Sequence, residues 1–143
     1  MVNELAAPQG LWKGKKFYFP VRIYYEDTDA GGIVYYANYL RFAERARTEF
    51  LRNIGEGQVE DLNQEKKGFI VRRAAVEYLK PARLGDLLAV SCEVEAVKGA
   101  AVEIKQQICR GEELLAEVAI TAVYLDFARM KPVRVPARML PQN

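Results

Sequence analysis

From residue 38 the apolar positions of the chain fall at helical spacing. In "NYLRFAERARTEFLRNIG", Tyr39, Ala43, Ala46, Phe50 and Ile54 follow one another at intervals of 4, 3, 4 and 4, which places them on one face of a helix. The other face carries Arg41, Glu44, Arg45, Arg47, Glu49 and Arg52, residues expected to be solvated or paired at helical spacing. Gly55 and Gly57 stop the pattern. Beyond residue 68 the period changes to two. "LLAVSCEVEAV" sets Leu88, Val90, Cys92 and Val94 against Leu87, Ala89, Ser91 and Glu93, and "AAVEIKQQICR" sets Val102, Ile104 and Ile108 against Glu103, Lys105 and Gln107. Both read as half-buried strands. "VKGA" and "RGEE" supply tight turns, "LLAEVAITAVYLDF" is apolar on both faces and therefore predicts a central strand, and "FIVRRAAVEYLKPA" precedes them as one more.

Ahead of the helix, "KFYFPVRIYYE" is rich in aromatic and β-branched residues and predicts a first strand, with Pro20 pointing to an edge or a bulge. The order is then one strand, one long helix and four strands joined mainly by short turns. That order predicts an α+β domain with the helix on one face of an antiparallel sheet. A chain of 143 residues and 16.2 kDa fits one domain over 1–143, burying roughly two thirds of its unfolded surface. No internal repeat or low-complexity segment appears.

Composition narrows the chemistry. The chain has no histidine, so Ser-His-Asp and Cys-His catalysis within it are excluded, leaving carboxylates, lysines, tyrosines and backbone dipoles. Cys92 and Cys109 lie in separate strand patterns without CxxC spacing, which argues against a zinc site or a disulfide framework and for core thiols. The net charge is +2. Although "ARMKPVRVPAR" is basic, no nucleic-acid-binding motif accompanies it, so no nucleic-acid partner is expected. The leader "MVNELAAPQGLWKGKKFYFP" lacks a continuous apolar run and no stretch reaches transmembrane length, so a cytoplasmic protein without a transmembrane segment is expected.

The acids of "YYEDTDAGG" need a separate account. Asp27 or Asp29 could cap the coming helix or stabilise a turn. A calcium loop fits Asp27, Asp29 and Gly32, but Gly31 stands at the fifth loop position and Asn38 where the bidentate glutamate belongs. A phosphate-transfer reading of DxD lacks the repeated βα units and the Gly-rich Lys-Ser/Thr loop. No metal is expected.

Taken together, "YYEDTDAGGIVYYANYLRFAERARTEFL", "FIVRRAAVEYLKPARLGD" and "MKPVRVP" resemble the hotdog-fold acyl-CoA thioesterases of the 4-hydroxybenzoyl-CoA thioesterase family, in particular the Tol-Pal-associated, YbgC-like branch. The resemblance covers residues 17 to 136. It implies a hotdog fold, a long central helix wrapped by a curved antiparallel sheet, and hydrolysis of an acyl-CoA thioester without a cofactor. It also implies Asp29 as nucleophile or general base and the Tyr36 backbone N–H, at the helix start, as the group polarising the thioester oxygen. A helix N-terminus with free N–H groups and partial positive charge suits an oxygen that becomes negative, and Gly31 and Gly32 would allow close backbone approach. Many relatives carry histidine where Tyr36 stands here. A rival carboxylate from the helix, Glu44 or Glu49, is weighed against pairing with Arg45, Arg47 or Arg52. For the coenzyme A phosphates the resemblance points to Lys98 and Gly99, with Arg72 from the neighbouring strand. It further implies a homodimer, usually paired into a homotetramer. An acyl carrier protein stands beside coenzyme A as an alternative carrier, and a non-hydrolysing binding module is the alternative within the same fold.

Overall fold

A computed structural model of the chain describes residues 2–56 and 63–140; Gly57, expected to help end the helix, lies outside them. Chain order runs β1 (Leu11–Lys13), β2 (Lys16–Arg22), α1 (Asn38–Asn53), β3 (Lys67–Tyr78), β4 (Leu87–Lys98), β5 (Ala101–Arg110), β6 (Glu113–Asp126) and β7 (Lys131–Pro132). The strands form one antiparallel sheet ordered β1-β2-β4-β5-β6-β3, with β7 pairing the end of β6. The expected helix and five strands are all present. Two strands go beyond the expectation, β1 and β7, of three and two residues, too short to set up a period in the sequence. Pro20 lies past the last residue paired to β1 and opposite Ala89 of β4, so it sits where β2 is locally an edge and its missing N–H is not needed. As its two apolar faces predict, β6 is central, between β5 and β3.

The helix lies on one face of this sheet. Tyr39, Phe42, Ala43, Ala46 and Phe50 are buried against Phe17, Val21, Leu88, Val90, Cys92, Val102, Ile104 and Ile108 of the strands. The alternation in β4 and β5 explains which residues these are, because every second side chain points at the helix. One polar residue breaks the pattern. Gln106 is completely buried; its Nε2 donates to the Ala43 carbonyl (2.9 Å) and its Oε1 accepts from Nη1 of Arg47 (2.9 Å). Arg47 therefore turns inward rather than joining the solvated face. Of the other helix charges, Glu49 pairs with Arg52 at 3.4 Å, as helical spacing allows. Glu44 accepts from the Thr48 hydroxyl (2.9 Å) rather than from an arginine.

The two ends of the sheet differ. β1 shields part of one edge, but β3, twelve residues long, forms the other edge and is exposed over most of its length.

Candidate active site

Between β2 and α1 the chain makes a 3-10 turn over Tyr25–Asp27, then a tight hairpin-like loop. Thr28 bridges Val34, and within it the Asp29 N–H donates to the Ile33 carbonyl (2.9 Å) and the Gly32 N–H to the Asp29 carbonyl (3.1 Å). Gly32 has φ +78°, a conformation that glycine adopts without strain. Gly31 matters by proximity, since a Cβ there would stand 3.3 Å from Asp29 Oδ1.

The three acids separate cleanly. Glu26 is exposed. Asp27 is 6% exposed; its Oδ2 accepts the Tyr24 N–H (2.8 Å), and its backbone carbonyl accepts both the Tyr35 N–H (3.1 Å) and Nδ2 of Asn38 (2.8 Å). It caps the 3-10 turn and ties the first residue of α1 to the loop. Neither acid caps α1 with its side chain; the N-cap is Ala37, which makes no side-chain bond. Asp29 sits exposed at the loop tip. Its Oδ1 accepts the N–H groups of Gly31 (2.9 Å) and Ile33 (3.3 Å), and Oδ2 has no hydrogen bond among the described residues. The carboxylate is thus oriented by one oxygen and available through the other.

Tyr36 leaves the same loop two residues before α1. The residue is 62% exposed. The backbone N–H groups of Tyr36 and Ala37 make no hydrogen bond among the described residues, whereas those of Asn38, Tyr39 and Leu40 donate to the carbonyls of Tyr35, Tyr36 and Ala37. Free donors at a helix entrance are what an oxygen gaining negative charge requires. The Tyr36 carbonyl is fixed from outside the helix: the Tyr78 hydroxyl donates to it (2.9 Å), with the Tyr78 ring edge-on to Tyr36 and to Tyr39. Burial, with the neighbouring Tyr36 and Tyr39 hydroxyls, raises the Tyr78 pKa, so it remains a donor through the neutral range. Tyr39 in turn accepts the Ala82 N–H at its hydroxyl (3.0 Å). An open groove lined by Ile33, Val34, Tyr36, Tyr39, Tyr78 and Pro81, among others, runs beside this entrance. From the sequence, Asn38 enters only as a mismatch to a calcium loop, and Tyr78 and the Ala82 segment receive no role at the site. The signal that could have found them is the turn sequence "KPARLGD", which folds back on the loop.

The remaining expected site residues lie elsewhere. Arg72 is not on a strand neighbouring Lys98: β5 and β6 intervene between β3 and β4. It occupies a bulge, where pairing with β6 shifts register between Val71 and Arg73. Lys98 pairs with Glu103 at 3.6 Å, and Gly99, at φ +62°, turns the chain into β5 and accepts the Val135 N–H (3.0 Å). Arg72 lies six residues from Tyr78, about 20 Å along the strand, and Lys98 stands at the Ile70 level of the sheet, roughly 25 Å from Tyr78 by the same rise. Within one chain the structure therefore joins Asp29, Gly31, Gly32 and Tyr36 in one loop and keeps Arg72, Lys98 and Gly99 apart from them. Of the thiols, burial pushes Cys92 up to about 12 and raises Cys109 as well, which suits inert core cysteines better than nucleophiles. No helix among the described residues is long and apolar enough to cross a membrane.

Comparison with known proteins identifies the family and the fold. The family model of the Thioesterase-like superfamily matches residues 12–142. The chain is 46% identical over 120 residues to the acyl-CoA thioesterase YbgC of Haemophilus influenzae, covering 84% of this chain and 88% of that protein. It is 46% identical over 121 residues to the acyl-CoA thioester hydrolase YbgC of Escherichia coli O6:H1, covering 84% and 90%. In fold it matches the 1,4-dihydroxy-2-naphthoyl-CoA thioesterase from Synechocystis with a TM-score of 0.79 at 21% identity, covering 86% of this chain and 91% of that one. The helix on a curved antiparallel sheet is the hotdog fold, and the chain belongs to the Thioesterase-like superfamily, as an acyl-CoA thioesterase of the YbgC-like branch.

Proposed function

We propose that this thioesterase works through Asp29 and the helix entrance at Tyr36. The observation that carries the reading is the Asp29 carboxylate, held at the loop tip through Oδ1 with Oδ2 free, on the same loop that ends in the unpaired Tyr36 N–H. The thioester carbonyl oxygen accepts that N–H, which grows in strength as the oxygen gains charge. Asp29 either attacks the carbonyl carbon, expelling the coenzyme A thiolate and forming an anhydride that water opens, or takes a proton from the water that attacks. Both routes give a free acid and coenzyme A, and neither requires a cofactor.

The same reading includes a second chain. In one protomer Arg72, Lys98 and Gly99 are far from Asp29, but two β3 edges paired antiparallel would bring the Ile70–Arg72 end of one strand opposite the Tyr78 end of the other. We infer a homodimer, able to pair again into a tetramer, with Gly31, Gly32 and the Tyr36 loop at the thioester and Arg72, Lys98 and Gly99 toward the coenzyme A phosphates; an acyl carrier protein would present the same thioester arm. The deciding experiment is Asp29→Asn, which keeps shape and removes charge. Turnover of acyl-CoA, read by released thiol, is expected to fall by orders of magnitude with the thermal midpoint unchanged. Wild-type turnover in the folded variant would remove Asp29 from the mechanism and bring Glu44 forward.

A further inference from the structure

We propose that Arg110 is a positioning residue for the active-site loop, acting from the β5–β6 hairpin through the segment between β3 and β4. The inference rests on the reading of Asp29 and Tyr36 given above.

The loop is held from outside by residues 81–86. Val34 donates its N–H to the Ala82 carbonyl (3.0 Å), Leu84 donates to the Gly32 carbonyl (3.0 Å), and Ile33 bridges Arg83. One of them orients Asp29 directly: the Ile33 N–H donates to Oδ1 (3.3 Å). The segment is itself a turn closed by Asp86: its Oδ2 accepts the Arg83 N–H (2.8 Å), and its own N–H donates to the Arg83 carbonyl (3.1 Å). The turn is anchored in the core at Ala82, which is fully buried, and to the chain after β2 by the Gly85 N–H donating to the Ile23 carbonyl (3.0 Å) and the Ile23 N–H donating to the Asp86 carbonyl (2.9 Å); Pro81, Arg83, Leu84 and Gly85 are exposed.

Arg110 adds a side-chain tie from the β5–β6 hairpin to the ends of this turn. One guanidinium nitrogen, Nη1, donates to Asp86 Oδ2 at 2.7 Å and to the Pro81 carbonyl at 3.4 Å, so it grips both ends of the segment. Nη2 and Nε donate to Glu113 Oε1 at 2.6 and 3.2 Å, and Glu113 Oε2 pairs with Lys80 at 3.1 Å. The fork geometry locks the arginine in place before it reaches the turn. Burial works to raise the Asp86 pKa, but the Arg83 N–H and the Arg110 guanidinium outweigh it and leave the carboxyl below its ordinary value, so the contact stays charged at neutral pH. Arg110 touches neither the proposed nucleophile nor the helix entrance, and the relay runs Arg110, Asp86, Arg83, Ile33, Asp29.

The test combines kinetics with amide exchange on the full chain. Arg110→Met keeps the aliphatic stem and removes the fork. It is expected to lower kcat by between about tenfold and a hundredfold at unchanged KM, the range reached when reacting groups are misplaced by an ångström or less. Hydrogen exchange at Gly32, Ile33, Val34 and Leu84 should accelerate by a similar factor, and Arg110→Lys should recover part of both. Arg129→Ala removes another ion pair, between the exposed Arg129 and the buried Asp126 at 3.2 Å, far from the loop, and should change neither. If Arg110→Met does not fold, Asp86→Asn weakens the same contact and carries the same expectation. Unchanged exchange, faster exchange with wild-type kcat, a KM effect alone, or an equal loss in Arg129→Ala would each overturn the proposal. The exchange result reports on the clamp whatever Asp29 does, whereas an active Asp29→Asn enzyme would remove the site reading and leave the clamp.

Discussion

Asp27 and Asp29 stand two positions apart with one threonine between them, yet burial assigns them different work. Asp27 is buried and uses its carboxylate to accept the Tyr24 N–H, so Asp27→Ala should lower stability by about 1 to 3 kcal/mol through loss of a part-buried hydrogen bond to a charged group, measured by urea unfolding, with turnover per folded molecule reduced far less than in Asp29→Asn. The sequence placed both acids at a turn and its family resemblance favoured the second, but nothing in "EDTD" says which faces inward. That follows from the 3-10 turn, which rotates one carboxylate under the chain. At Tyr36 the backbone and side chain are separable. Tyr36→Phe should keep most activity. Tyr36→Pro, at a position whose N–H has no partner and where proline suits a helix entrance, should lose about 3 kcal/mol of transition-state stabilisation, roughly a hundredfold in rate, once circular dichroism and gel filtration show the variant folded and oligomeric. An active proline variant would exclude the backbone donor. An inactive phenylalanine variant would give the role to the hydroxyl.

At the scale of elements, periodicity was informative where elements are long. The helix, β4 and β5 each repeat their pattern enough times to show one buried face, β6 is long enough to show two apolar faces, and Tyr39, Ala43, Ala46 and Phe50 are buried as their spacing requires. Two-residue and three-residue strands carry no such signal, and neither does the partner of a single polar residue turned inward. Gln106 is the clearest case: it shares the parity of Val102, Ile104 and Ile108, so the alternation puts it on the buried face, but nothing in its residue type says that it is there to accept from Arg47. Because Gln106 is the acceptor that Arg47 finds in the core, Gln106→Leu should cost about 2 to 3 kcal/mol, read from the denaturant midpoint. Adding Arg47→Met should restore a substantial part of it, since replacing both partners leaves no stranded charge. Equal destabilisation by the single and double variants would show that the pair contributes through packing alone.

For the molecule as a whole, strand order was the feature hidden from the sequence. Short turns show that β4, β5 and β6 are neighbours, but the return of β3 to the far side of β6 depends on pairings between residues some 50 apart in the chain, such as Phe69 with Tyr124. That order leaves β3 as an open edge with Ile70 and Val71 exposed, a state natural sheets usually cover. Ala75→Asp, placing like charges near the two-fold axis of the proposed β3–β3 pairing, should shift the sedimentation profile toward monomer and lower turnover in the same proportion. Monomers with full activity would place the whole site in one chain.

The open edge also bears on how much enzyme a cell obtains from a given amount of chain. With each site shared between two copies, as proposed, the working enzyme at low abundance grows with the square of chain concentration rather than in proportion to it. Halving synthesis would then remove more than half of the thioesterase capacity, and activity measured in a dilute extract would understate what the same molecules do at their concentration in the cell.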